Sequence, residues 1–207
     1  MTDRIKTWIP SEIDPLEAVI IHRPGPEVEN MTPQNAERAL YSDILNLSVA
    51  AREYEQLKGV LDKVSRAFEV TEMLTAILGK EEVKRDLLTD ICCNEGICSS
   101  AEQLMELPPE ALSRQLVHGV PLVRDTLTKY LSEERFLLRP LHNLFFTRDS
   151  AMGVNGCMFT GSMANKVRER ETIILNAILK HHPLLETSVH EIPRSGKSGT
   201  SDGLATL

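Results

Sequence analysis

The segment that most narrows the choice of fold is Ala18-Val19-Ile20-Ile21, a short apolar run bounded by Pro15 and by Pro24-Gly25-Pro26. Mostly β-branched residues closed in by turn formers predict a strand that runs into a loop. The run does not alternate, which predicts cover on both faces of the strand. Downstream, Ala50, Tyr54, Leu57, Val60, Leu61 and Val64 recur at intervals of three and four, the spacing of one helix face. Phe68-Glu69-Val70 then reads as a second short strand. Strand, helix, strand is an α/β unit, so the predicted fold class is α/β.

Texture divides the chain into three zones: 1–70, 71–134 and 135–207. The first holds the α/β unit. The second is predicted helical throughout and reads as an inserted α-helical bundle. EMLTAILGKEEVKRDLLTDICC, SAEQLMELPPEALSRQLVHG and LVRDTLTKYLSEERF each carry amphipathic spacing. Ser100 is placed to cap one of these helices, and Pro109 suits the first turn of the next. The third zone returns to α/β texture. Leu144-Phe145-Phe146-Thr147 reads as a strand, Val154-Asn155-Gly156-Cys157 as a hairpin turn, and Met158-Phe159-Thr160 as the returning strand. RERETIILNAILKHH is helical up to Pro183, and Ser188–Ile192 is a further short strand.

Composition removes several classes of function. With 207 residues and 42% hydrophobic content the chain can bury a real core, and nine aromatics make that core aliphatic. A net charge of −7, from 23 basic and 30 acidic residues, argues against a generic nucleic-acid binder. No apolar run approaches the roughly 18 residues of a membrane span. The start, MTDRIKTWIP, lacks the apolar stretch of a secretory signal, so the expected location is the cytoplasm. Cys92, Cys93, Cys98 and Cys157 do not form the paired spacing of a zinc site and are expected to be reduced thiols.

The densest polar group is HNLFFTRD with the RER that follows. Asn143, Arg148 and Asp149 flank the predicted strand, and Asp149 falls at its end, where a sheet presents residues to a ligand. Arg168 and Arg170 begin the next helix. A carboxylate and arginines around one cleft suit a ligand that carries both charges. The plainer alternative is an Arg–Asp salt bridge between loops. His22, in His22-Arg23-Pro24-Gly25, reads as a structural histidine, and His181-His182 as a cationic helix C-terminus. GKSGTSDG lacks the first glycine of a phosphate loop, Glu191 standing at that place, and reads as a flexible linker.

In order and separation, IIHRPGPEVENMTP, SDILNLSVAAREYEQL, PLHNLFFTRDSAMGVNGCMF and RERET resemble the arginine deiminase family along nearly the whole chain. HNLFFTRD followed by RERET is the specific part, since HRPG is shared by related guanidine-modifying enzymes. The resemblance implies a pentein fold, an α/β propeller of ββαβ-type blades with an inserted helical bundle. It implies hydrolysis of L-arginine to L-citrulline and ammonia, with neither metal nor cofactor. In that chemistry a Cys thiolate attacks the guanidinium carbon, a His transfers protons and two acids bind the guanidinium nitrogens. The adduct loses ammonia, and water then releases citrulline. The implied catalytic and guanidinium-binding carboxylate is Asp149. Asn143 and Phe146 would line the substrate pocket, Arg168 would pair with the substrate α-carboxylate, and Arg148 would be structural.

The family's second acid, in an EGGD-like motif, its HxD-like histidine element and its nucleophilic Cys motif have no counterpart in these 207 residues. Cys157 sits in the hairpin and is not a candidate nucleophile. The expectation is therefore an N-terminal portion of an arginine deiminase, ending before the catalytic half and inactive alone. The alternatives are a non-catalytic arginine-binding protein, or another guanidine-modifying enzyme such as an amidinotransferase or dihydrolase. L-arginine is the expected partner, with no nucleic acid and no membrane, and a homo-oligomer remains open.

Overall fold

A computed structural model of the chain describes residues 4–29, 45–122, 135–163 and 165–192. After a two-residue strand, β1 (Ile5–Lys6), the apolar run forms β2 (Ala18–Ile21). A single helical turn follows, α1 (Pro26–Glu29), and later the long helix α2 (Leu47–Val64). Asn46 starts α2 by accepting the amides of Ser48 and Val49 on its side-chain oxygen. The next strand, β3 (Arg66–Glu69), pairs in parallel with β2, Ala18 opposite Arg66 and Ile21 opposite Glu69. The predicted strand–helix–strand unit is present, with two differences. Val70 opens the next helix instead of ending the strand. Cover on β2 is partial, since Ile21 is buried while its three predecessors are half-buried.

Helix α3 (Val70–Leu78) explains the first difference. Val70, Met73, Leu74, Ile77 and Leu78 fall at i, i+3, i+4, i+7 and i+8, and all five are buried. Helix α4 (Glu81–Glu95) stops at Gly96, whose φ of 74° is the left-handed conformation of a helix end. A 3₁₀ turn, Cys98–Ser100, leads into α5 (Ala101–Met105) and then α6 (Pro109–His118), with Pro109 in its first turn as predicted. Ser100 does not cap α5 through its side chain. It already has helical backbone angles within the 3₁₀ turn, whereas a cap needs an extended one. The helix predicted over 122–136 lies mostly outside the described residues, and its last residue, Phe136, instead begins a strand.

Strands β4 (Val120–Pro121) and β5 (Phe136–Leu138) pair antiparallel. Residues 144–147 are not a strand. Residues 142–145 form a turn closed by backbone bonds from Leu144 to Leu141 and from Phe146 to Asn143, and Thr147 starts the one-turn helix α7 (Thr147–Ser150). The apolar run is split between environments: Leu144 is 3% exposed and Phe146 46%, so no strand face could serve both. Beyond it, β6 (Ala151–Val154) and β7 (Cys157–Thr160) form the predicted hairpin, with Asn155 at a φ of 50° in the turn. A 3₁₀ turn, Lys166–Arg168, runs into α8 (Glu169–His181). Strands β8 (Leu185–Glu186) and β9 (Ser188–Glu191) follow. Strand β9 pairs in parallel with β7, giving the order β6-β7-β9 and a ββαβ unit, and β1 pairs in parallel with β8.

The architecture is mixed α/β, with small sheets that do not close on one another among the described residues. One aliphatic core joins α3, α4 and α6 to Leu138, Leu141, Leu144 and to Ile174 and Ile178 of α8. Arg170, 1% exposed, pins these parts together. Its guanidinium donates to Glu95 Oε1 at 3.2 Å and to the carbonyl of Arg139. No helix among the described residues is long and apolar enough to cross a membrane.

Candidate functional site

Asp149 lies in α7, and a side-chain bond places that turn: Thr147 Oγ1 donates to the Ile20 carbonyl of β2 at 2.9 Å. Arg168 ends the 3₁₀ turn that Asn165 starts by accepting the Val167 amide at 3.0 Å. The two elements bring the predicted residues into contact, Arg168 Nη1 donating to Asp149 Oδ2 at 2.8 Å. The other edge of the same guanidinium is held by Glu171, through Nη2 at 2.9 Å and Nε at 3.2 and 3.3 Å. Glu171 is 2% exposed, Arg168 13% and Asp149 49%. Burial pushes the Glu171 carboxyl up, against the opposing pull of Arg168. Arg168 is thus a fixed cation with one edge buttressed from inside and the other turned toward a half-exposed carboxylate.

Asn143 and Phe146 belong to the same turn. The Asn143 carbonyl accepts the Phe146 amide at 2.9 Å, and the Phe146 carbonyl accepts the Asp149 amide at 3.1 Å. Asn143 is buried, whereas Phe146 is exposed and lies tilted against Phe145 with centroids 4.2 Å apart. The remaining arginines stand elsewhere. Arg148 pairs with Glu12 on the open surface, and Arg170 is the core pin described above.

Glu171 is the residue that spacing missed. Its only signal is the i,i+3 relation to Arg168 within RERET. A second polar centre also exceeds the prediction. His22, read as structural, lies between two carboxylates, Nδ1 at 2.7 Å from Glu69 and Nε2 at 3.4 Å from Glu27. Glu27 is fully buried, accepts the Gly25 amide and faces His118 at 3.6 Å, while its carbonyl accepts His142 Nδ1–H at 2.5 Å. Burial alone would lower the His22 pKa, but Glu27 and Glu69 together outweigh it and raise it from 6.5 to about 9. At the C-terminus of α8, beside Lys180 of the last turn, Lys80 donates to the His181 carbonyl. Burial lowers the His182 pKa, and His182 holds the helix end through its backbone amide.

No group of three or more His, Cys, Asp or Glu placed to hold a metal ion occurs among the described residues. Cys92 is buried in the core, Cys93 and Cys98 are exposed, and Cys157 opens β7 half-buried. The P-loop-like GKSGTSDG lies outside the described residues.

The chain is similar to known proteins along most of its length. The family model for arginine deiminase matches residues 37–201. An arginine deiminase of Borrelia garinii subsp. bavariensis is 30% identical over 195 residues, covering 86% of this chain and 47% of that protein. An arginine deiminase of Listeria welshimeri is 31% identical over 198 residues, covering 89% of this chain and 48% of that protein. One from Limosilactobacillus fermentum is 27% identical over 190 residues. The chain spans about half the length of the curated relatives it matches. The matched region takes in HNLFFTRD and RERET, with the Asp149–Arg168 contact they build, and the chain belongs to the arginine deiminase family.

Proposed function

We propose that this chain supplies the substrate-recognition part of an arginine deiminase, which hydrolyses L-arginine to L-citrulline and ammonia. The observation that carries this reading is the 2.8 Å contact between Arg168 and Asp149. Without ligand the two charges neutralise one another. L-arginine carries the matching pair, a guanidinium for Asp149 and an α-carboxylate for Arg168, and can replace one internal ion pair with two. Glu171 holds Arg168 in place during that exchange. Phe146 lies exposed beside Asp149, where its ring can cover the aliphatic stem of the substrate, and Asn143 fixes the turn beneath.

On this reading the ββαβ unit β6-β7-α8-β9 is a blade of a pentein propeller. Zones 1–70 and 135–207 belong to the blades, and 71–134 is the helical insert. The protein works in the cytoplasm. The thiolate, the proton-transferring histidine and the second acid of the reaction are not assigned to any residue of this chain, so it forms no citrulline alone.

The test is a titration of the ¹⁵N-labelled chain with L-arginine, followed at the Phe146, Asp149 and Arg168 amides. Saturable shifts in the millimolar range, about −4 kcal/mol, are expected, with Asp149→Ala removing them at Arg168. Arginine shifts that survive Asp149→Ala at these amides would refute the assignment.

A further inference from the structure

The Arg168–Asp149 contact at 2.8 Å closes the site in its free form. A ligand that takes both charges breaks that contact. The spacing between the two residues then depends on how each is anchored elsewhere. Arg168 is anchored on its own side, by Glu171 and by the start of α8. Asp149 belongs to no sheet. Residues 142–145 are a turn and Thr147–Ser150 is the one-turn helix α7, both closed by local backbone bonds. No strand ladder fixes this segment. Leu141 and Leu144 seat it in the core, but apolar packing is non-directional. Direction comes from hydrogen bonds to neighbouring elements.

The Leu141 amide donates to the Val117 carbonyl at the end of α6, at 2.9 Å. Two side-chain bonds then tie the turn to the segment that leaves β2 and forms α1. His142 Nδ1 donates to the Glu27 carbonyl at 2.5 Å, and Thr147 Oγ1 donates to the Ile20 carbonyl at 2.9 Å. They stand on either side of residues 143–146. The Glu27 peptide is itself held fast. Its carboxylate is fully buried, accepts the Gly25 amide at 2.6 Å and faces His22 at 3.4 Å, and Val28 beside it is fully buried. His142 is 6% exposed. A carbonyl only accepts, so Nδ1 carries the proton, and burial lowers the His142 pKa, which keeps the ring neutral near pH 7. An apolar side chain would fill the same space without the cost of burying an imidazole. What the imidazole adds is a directional bond, one residue before Asn143.

We propose that His142 and Thr147 are positioning residues for arginine recognition, a two-point clamp that holds the turn bearing Phe146 and Asp149 at the spacing from Arg168 that a two-ended ligand spans. This role rests on the arginine-recognition reading. Neither side chain is assigned a contact with the ligand; both act through the turn. A turn without the clamp must be fixed at the moment of binding, which costs affinity for a ligand that grips both ends.

The readout is the ratio of two affinities, L-arginine over agmatine, from titrations of the ¹⁵N-labelled full chain followed at the Asp149 amide. Agmatine has the guanidinium and no carboxylate, so it meets Asp149 alone and does not sense the spacing. A substitution that only lowers the folded fraction weakens both ligands by the same factor and leaves the ratio unchanged. In His142→Leu, and likewise in Thr147→Val, the ratio should fall from about tenfold in the parent to about threefold or less. His142→Asn, which donates from an atom bonded to Cγ as Nδ1 is, and Thr147→Ser should keep the parent ratio. An unchanged ratio in His142→Leu overturns the proposal, and so does a ratio that falls as far in His142→Asn. If His142→Leu does not fold, Thr147→Val at the half-buried pin decides: an unchanged ratio there overturns the clamp. A parent that binds the two ligands alike overturns the arginine-recognition reading itself, and the clamp with it.

Discussion

Arg168 owes its position to two carboxylates of different character. Glu171 is buried and holds it from within, whereas Asp149 is half-exposed and can exchange partners. Removing the inner one leaves this nearly buried cation with only its half-exposed partner Asp149, and breaking a buried pair costs about 3–5 kcal/mol. Glu171→Ala should therefore lower unfolding stability by about that much in urea titrations, while Asp149→Ala, at a solvent-screened pair, should cost under about 1 kcal/mol. His22 carries a pH signature. Its folded pKa is raised to about 9, so its contribution is complete below the unfolded value of 6.5 and fades as pH rises through 9. The Glu27 pKa is lowered despite burial, because His22 opposes the desolvation, and its contribution fades as pH falls through the carboxylate range. His22→Ala should therefore destabilise strongly in urea at pH 6 and much less at pH 10. Equal losses at both pH values would contradict the ion-pair account. At this scale Asp149 and Arg168 were legible from their motifs, whereas Glu171, Glu27 and Glu69 were not. Nothing in spacing tells a buried carboxylate from a solvated one.

Periodicity located elements wherever one face truly meets the core. In α3 the buried positions follow the helical stripe, and in the β6–β7 hairpin the Asn-Gly pair marks the turn. At α2 it located the helix but not the burial of its stripe, since Leu57, Val60 and Val64 are more than half exposed, with Tyr54 the buried residue among those described. It misled at 144–147, where an apolar run folds as a turn because Leu144 joins the core and Phe146 faces outward. Two substitutions probe the helical packing. Leu112→Ala in α6, at a fully buried position against α3, should cost about 2–5 kcal/mol. Gly119→Ala, at the exit from α6, should cost more than about 1 kcal/mol. Its φ is 88°, and an added Cβ would meet the Leu138 carbonyl oxygen at 2.8 Å and the Pro140 nitrogen at 2.9 Å. Thermal melts of both variants check these values, and a Gly119→Ala chain as stable as the parent would contradict the close approach.

As a whole molecule the chain couples helices and small sheets through one core, and Arg170 joins the helical zone to the ββαβ unit. Motif order made the family legible in the sequence. The sharing of one core between 70–117 and 138–178 was not legible, because it depends on long-range packing. Purified chain incubated with L-arginine should yield no citrulline in a colorimetric assay, and robust turnover would show that its own residues complete the chemistry. The most direct test of two-ended arginine recognition compares L-arginine with agmatine, which keeps the guanidinium and lacks the carboxylate, by NMR titration of the unmodified chain. Both ligands should shift the Asp149 amide, and L-arginine should bind about tenfold more tightly, a difference of about 1.4 kcal/mol. Identical shifts and affinities for the two ligands, or no saturable shift at Asp149 with either, would contradict the account.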